Sequence, residues 1–210
     1  MLATLSAYRE QPVLVWRGDG PRLVASSAAL GGGIGIRRWI LNLTVPVGYQ
    51  RNDPDVHLAE VAAALALDGP GVGLMTAVDV ARRVTAADGG VVVTATVGLN
   101  TVGWAAAPDG DRGTTLRPGT VNIVAHLPAR LGEAALVNAV ATATEAKTQA
   151  LWELGVAATG TATDAVAICC RPDGEAEAYG GPRSTWGARL ARAAYAAVRD
   201  GAAADLGIPR

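Results

Sequence analysis

Lysine, histidine and cysteine are all scarce in this chain of 210 residues, and each scarcity removes a class of function. One lysine, Lys147, stands among 18 basic residues, the others all arginine. Together with abundant Ala, Gly and Val, that bias is what a GC-rich genome imposes. The rarity of lysine therefore carries no function, and only the position of Lys147 can. The two cysteines, Cys169 and Cys170, are neighbours at the end of an apolar run. They are too close to pair without strain and cannot staple a loop, which argues against a disulfide-built secreted scaffold and fits a reducing cytoplasm. The two histidines, His57 and His126, lie far apart in sequence. Asp53, Asp55 and His57 could suggest a metal, but Asp53-Pro54-Asp55 reads as a helix start, so no metal site is expected.

Other absences follow from charge and hydropathy. A net charge of −1 leaves no basic excess for a nucleic-acid footprint. Near the amino terminus Arg9 and Glu10 interrupt the apolar residues before they reach signal-peptide length, and no later run is long and uncharged enough to span a bilayer. The expectation is a soluble cytoplasmic protein with neither nucleic acid nor membrane as partner. There is no Gly-x-Ser-x-Gly elbow. The cluster Gly31 to Gly35 is followed by Arg37-Arg38-Trp39 and a strand pattern rather than a helix, so it is not a dinucleotide fingerprint.

Half of the residues are apolar, enough for a full core, and 210 residues fit one domain spanning 1–210. Glycine punctuates short apolar segments. Strands are expected over Arg22–Leu30, Trp39–Val47, Gly73–Thr76, Val91–Val97, Gly119–Leu127 and Ala165–Cys170. Helices are expected from Asp53-Pro54 to about Asp68-Gly69, with Leu58, Val61, Ala62 and Leu65 buried, over Glu133–Leu154, and over Ser184–Asp200. The alternation predicts an α/β or α+β fold, a layered mixed β-sheet packed with helices, its strand order unreadable.

Lys147 falls in the second of these helices. At about 100° per residue, Leu136, Val140, Ala143, Lys147, Leu151 and Leu154 share an apolar stripe, and Asn138, Thr142, Glu145 and Gln149 a polar one. Either the lysine snorkels to water along its methylene stem, or it is buried and requires a carboxylate. Glu145 and Lys147 stand roughly 160° apart on the wheel, so they cannot both touch one reacting atom.

Small polar residues and glycine recur at strand ends: Thr96-Val97-Gly98-Leu99-Asn100, Gly119-Thr120-Val121-Asn122, and Thr159-Gly160-Thr161-Ala162-Thr163-Asp164. They offer close backbone approach and neutral donors and acceptors, suited to a ligand with many amides or hydroxyls. Ordinary turn chemistry explains any one of them alone. Joined by Asn42-Leu43-Thr44-Val45-Pro46-Val47-Gly48-Tyr49, Gly73-Leu74-Met75-Thr76-Ala77 and Thr144-Glu145-Ala146-Lys147-Thr148, the ordered series resembles the adenosylcobinamide amidohydrolase family from about Gly31 to about Val198.

The resemblance implies hydrolysis of the amide joining the aminopropanol arm to the corrin ring, giving adenosylcobyric acid and 1-amino-2-propanol for cobamide salvage. Relatives acting on complete cobamides, an amidase of the same architecture with another substrate, and a corrinoid-binding protein without catalysis are the alternatives. The substrate brings its own cobalt and no further cofactor is expected; homo-oligomeric assembly stays open. For catalysis, Glu145 or Asp164 is a candidate general base and acid, with Lys147 or loop amides on the oxyanion; alternatively Thr161 or Thr163 is a nucleophile activated by Lys147. Asn42, Thr76, Asn100, Asn122 and Gly160 are candidate substrate contacts, and Trp16, Trp39, Trp104, Trp152 and Trp186 include candidates for a stacking surface.

Overall fold

The first hairpin joins Thr4–Tyr8 (β1) to Gln11–Ser26 (β2) through Arg9-Glu10, both at positive φ, 46° and 70°. That is the two-residue turn whose twist matches antiparallel strands. A computed structural model describes residues 3–109 and 119–209. The elements that follow are β3 (Gly33–Thr44), α1 (Pro54–Ala64), β4 (Gly71–Thr76), a 3-10 turn at Val80–Arg82, β5 (Val84–Asp88), β6 (Val91–Gly98) and β7 (Val102–Gly103). Then come β8 (Thr120–His126), β9 (Arg130–Leu131), α2 (Glu133–Glu153), β10 (Gly160–Thr161), β11 (Ala165–Cys170), β12 (Ala176–Glu177) and α3 (Thr185–Leu206).

The main sheet has eight strands in the order β4-β3-β2-β11-β8-β6-β5, with β1 on the free half of β2. It is mixed, parallel for β3–β4 and β8–β11 and antiparallel elsewhere, so the fold is of the expected α/β type. The β2–β3 ribbon loses register between Arg17 and Arg22, and there the sheet bends. Its two halves face each other. Leu14, Trp16, Ile40, Val72 and Leu74 from one half pack with Val24, Val124, Ala167 and Cys169 from the other in a core between sheet layers. At one end this core turns polar: Asn42 Nδ2 on β3 donates to Thr96 Oγ1 on β6 at 3.1 Å, although three strands separate them in the sheet.

Helices cover both outer faces. On one, α1 seals Val13, Val15, Leu41 and Leu43 with Leu58, Val61 and Ala62. Pro54 opens this helix as expected, but Asp53 at the N-cap makes no side-chain bond to it; its carboxylate is held by Arg51 at 2.8 Å instead. The helix also stops at Ala64, short of the expected Asp68-Gly69, because Ala66 enters the left-handed region at φ 50°. On the other face α2 and α3 pack over β6, β8 and β11. Alanine at 135, 139, 143, 146 and 150 on α2, and at 193, 194 and 197 on α3, lets both lie close to the sheet. Ser184 caps α3 by accepting from Gly187 N at 3.1 Å, and Gly207 at φ 71° ends it, six residues beyond the expected Asp200.

β2 and β3 depart furthest from the expected bounds. The strand expected over Arg22–Leu30 begins already at Gln11 and ends at Ser26. Gly33 and Gly35 belong to β3, expected to begin at Trp39, and β3 stops at Thr44, ahead of Pro46. The turn proper is Gly31-Gly32; a Cβ on Gly31 would sit 1.9 Å from Gly71 O. Cys169 and Cys170 are free, buried thiols, both made less acidic by that burial. Among the described residues no helix is long and apolar enough to cross a membrane.

Candidate active site

Lys147 is buried and does not snorkel to water: Ala143, Ala146, Ala150 and Leu151 around it are core, and its side chain is 8% exposed. Its Nζ pairs with Asp164 Oδ2, whose side chain is 12% exposed. The chain brings the two together because α2 ends at Glu153, and the segment after it folds back as β10, which pairs antiparallel with β7: Gly160 opposite Gly103, Thr161 opposite Val102. Thr148 Oγ1, one residue after the lysine, reaches Thr159 O at 3.2 Å and so ties helix to loop.

The carboxylate of Asp164 is fully occupied. Oδ1 accepts from Val121 N at 2.8 Å and from Thr161 Oγ1 at 2.6 Å; Oδ2 accepts from Lys147 Nζ and from Thr161 N at 3.1 Å. Four donors fill the capacity of a carboxylate. Gly160 is the floor on which the pair rests: a Cβ there would lie 2.2 Å from Asp164 Oδ2 and 2.4 Å from Lys147 Nζ, so no other residue fits without moving the charges. Above the pair opens a cavity of about 430 Å³. Thr144, Lys147, Thr148, Gly160 and Thr161 line one side, Thr101, Val102, Gly103 and Trp104 the other.

Of the residues expected to carry chemistry, Lys147, Thr161 and Gly160 line this cavity, and Asp164 is bonded to Lys147 and Thr161 without lining it. Thr163 is exposed beside it, its hydroxyl 2.8 Å from that of Thr120 and 3.3 Å from Gly119 O. Glu145 lies on the exposed side of α2 and does not line the cavity, in keeping with the angular separation from Lys147. Along the same polar stripe Asn138 and Gln149 are exposed too, but Thr142 is buried and donates to Gly180 O at 3.0 Å.

The expected substrate contacts divide in a similar way. Asn42, Thr76 and Asn122 are 1%, 2% and 1% exposed and belong to the polar end of the core between the sheet layers. Asn122 Nδ2 donates to Asn42 Oδ1 and to Met75 O, both at 3.0 Å, and Thr76 Oγ1 accepts from Val78 N at 3.1 Å. Asn100 is exposed in the loop after β6, next to Thr101 on the cavity wall. Trp16 and Trp39 are core, and Trp186 stacks with Arg189. Trp104 lines the cavity, and Trp152 stands against it, their rings 6.1 Å apart.

Sequence reasoning missed two contributors. The amide of Val121 has no side-chain signature. The strand pair β7–β10, which presents Thr161, is only two residues long on each side and too short to show a periodicity.

A family model for adenosylcobinamide amidohydrolase matches residues 2–209. A protein named adenosylcobinamide amidohydrolase from Methanosarcina mazei is 29% identical over 197 residues, 90% of this chain and 92% of that one. One of the same name from Halobacterium salinarum is 36% identical over 174 residues, 79% of this chain and 72% of the other. The crystal structure of a Pyrococcus horikoshii OT3 protein aligns with 95% of this chain and 78% of its own, at 12% identity and a TM-score of 0.47, a likeness too slight to bear on function.

Proposed function

The chain belongs to the adenosylcobinamide amidohydrolase family, and from that premise we propose that it hydrolyses the amide between the aminopropanol arm and the corrin ring of adenosylcobinamide. The products are adenosylcobyric acid and 1-amino-2-propanol, and the released ring re-enters cobamide assembly, which places the enzyme in the cytoplasm.

The observation that supports a mechanism is the occupancy of Asp164. Its four positions are taken by Val121 N, Thr161 N, Thr161 Oγ1 and Lys147 Nζ. A water can reach neither oxygen without displacing a donor. The proton that Asp164 is placed to accept is that of the Thr161 hydroxyl, 2.6 Å away, on a residue that lines the cavity. Thr161 Oγ1 therefore attacks the amide carbon as its proton passes to Asp164. Lys147, with two further N–H donors beyond the one on Asp164, stabilises the charge that develops on the carbonyl oxygen. The C–N bond breaks, the departing amine takes the proton from Asp164, and a corrinoid ester is left on Thr161. Water enters the vacated space, gives its proton to Asp164 and attacks the ester; the acid leaves as the proton returns to Thr161 Oγ1. The carboxylate role expected for Glu145 or Asp164 thus falls to Asp164, and the nucleophile role to Thr161 rather than Thr163. Nucleophile, base and cation all come from the chain, so the proposed reaction takes no cofactor, the cobalt being part of the substrate.

Incubation with adenosylcobinamide, followed by mass spectrometry for the two products, tests the activity. Thr161→Ala should lower turnover by about 10²–10⁴-fold, Thr161→Ser should retain part of it, and acid-quenched enzyme should carry the mass of a corrinoid acyl group. Thr161→Ala with near-normal turnover would transfer the base's action to a water that displaces the threonine.

A further inference from the structure

Trp104 and Trp152 are 48% and 64% exposed, among the most exposed large apolar side chains of the described residues. They come from distant parts of the chain, the segment after β7 and the last turn of α2, yet their rings stand 6.1 Å apart and tilted by 59°. Burial of an indole is worth far more than its exposure, so two tryptophans held side by side in water mark a contact surface. Trp104 is itself a wall of the cavity that Lys147 lines, and the exposed Trp152 ring stands against it.

Size decides what the pair meets. Cavities of roughly 300–1,000 Å³ enclose drug-sized ligands, and this one holds about 430 Å³. A corrin macrocycle with its amide arms and an adenosyl group is far too large to enter. Only the aminopropanol arm and its amide can reach Thr161, and the body of the substrate stays at the mouth. The wall it then lies against is Trp104 and Trp152. The arrangement is also firm on the Trp104 side. Ala105 N donates to Thr159 Oγ1 at 2.8 Å, and Thr159 N donates to Gly103 O at 3.0 Å, so the segment carrying the ring is fastened to the loop carrying Thr161.

On the proposed amidohydrolase activity, we infer that Trp104 and Trp152 form a platform for the corrinoid body at the mouth of the cavity and so set which corrinoids are taken. They are positioning residues, remote from the reacting atoms: the platform fixes where the ring sits, and the length of the arm then sets the amide against Thr161.

The test is steady-state kinetics of wild type, Trp104→Ala, Trp152→Ala and the double variant on adenosylcobinamide and on cyanocobinamide, which lacks the adenosyl group. KM should rise about tenfold or more in each single variant, with kcat within about threefold of wild type and an unchanged melting temperature, since both rings are exposed. Trp104→Phe should recover most of the loss. A rise in KM for adenosylcobinamide alone means that the adenine lies on the platform; an equal rise for both substrates means that the corrin rim does. Wild-type KM values in all three alanine variants would overturn the platform while leaving the activity intact. Absence of turnover in wild type would instead overturn the reading on which it rests.

Discussion

Lys147→Met is the sharpest test of the central pair, because it removes the charge and keeps the stem that fills the core. The two side chains are 8% and 12% exposed, so solvent screens them little. Breaking a buried pair by removing one partner costs about 3–5 kcal/mol. Asp164 would still hold Val121 N, Thr161 N and Thr161 Oγ1, which places the expected loss near the lower bound, about 3 kcal/mol. Asp164→Asn costs as much or more, since it leaves an ammonium facing an amide NH₂ where, among the described residues, Asp164 is its carboxylate partner. In the double variant, Lys147→Met with Asp164→Asn, neither charge is stranded. Its loss should fall short of the sum of the single losses by about 2 kcal/mol, well above the roughly 0.3–0.5 kcal/mol scatter of independent sites. Urea unfolding followed by tryptophan emission reads all four corners of the cycle, and turnover should vanish in every variant. A Lys147→Met protein within about 0.5 kcal/mol of wild type, or losses that simply add, would refute the pairing as a source of stability.

Three shorter predictions accompany it. Gly160→Ala should abolish turnover and destabilise the fold, because its Cβ would meet Asp164 Oδ2 at 2.2 Å and Lys147 Nζ at 2.4 Å; an unfolding midpoint and kcat equal to wild type would count against the packing argument. Asn122→Leu should cost about 2 kcal/mol or more, since it leaves Asn42 Oδ1 and Met75 O buried without their donor, and chemical denaturation measures it directly. Burial holds the His126 imidazole down to about 3, so below the unfolded value of about 6.5 the unfolded chain binds a proton that the folded chain refuses. Stability is therefore full above about pH 6.5 and falls towards pH 5 with a slope approaching 1.4 kcal/mol per unit; a slope no flatter in His126→Gln would assign the loss to other groups.

What the sequence disclosed and what it hid divide along a physical line. The apolar stripe on α2 narrowed Lys147 to two readings, a snorkelling side chain or a buried one that needs a carboxylate, because helical periodicity and the cost of an unpaired ammonium are local facts, and the structure has the second. The same stripe placed Glu145 on the opposite side, where it is exposed. Strands β4, β6, β8 and β11 were legible as apolar runs between glycines. The first half of β2 was not: polar and apolar residues over Gln11–Gly20 show no clean alternation, since this stretch crosses the irregularity at which the sheet bends. The second sheet layer was hidden with it. Without that layer, Asn42, Thr76 and Asn122 read as strand-end residues free to meet a ligand, whereas the folding over of β3 and β4 encloses them.

That enclosure gives these polar residues a different part in the site. Two apolar sheet faces can slide over one another at little cost, because dispersion and hydrophobic contact are not directional. A chain of amides and hydroxyls at one end cannot, since each shift strands a buried donor or acceptor at about 1–3 kcal/mol. The links Asn42 to Thr96, Asn122 to Asn42 and Asn122 to Met75 O join β3 and β4 to β6 and β8 in this manner. Asn122 adjoins Val121, whose amide holds Asp164, and it pairs across β8–β11 with Ala165, the residue after Asp164. The polar end of the core thus fixes the layer register at the strand positions from which the Asp164 carboxylate is aimed. Asn42→Leu, four residues' links away from the cavity and exposed to no ligand, should then lower kcat as well as stability while KM stays near wild type; a loss confined to stability would leave the seam a fastening with no bearing on the carboxylate.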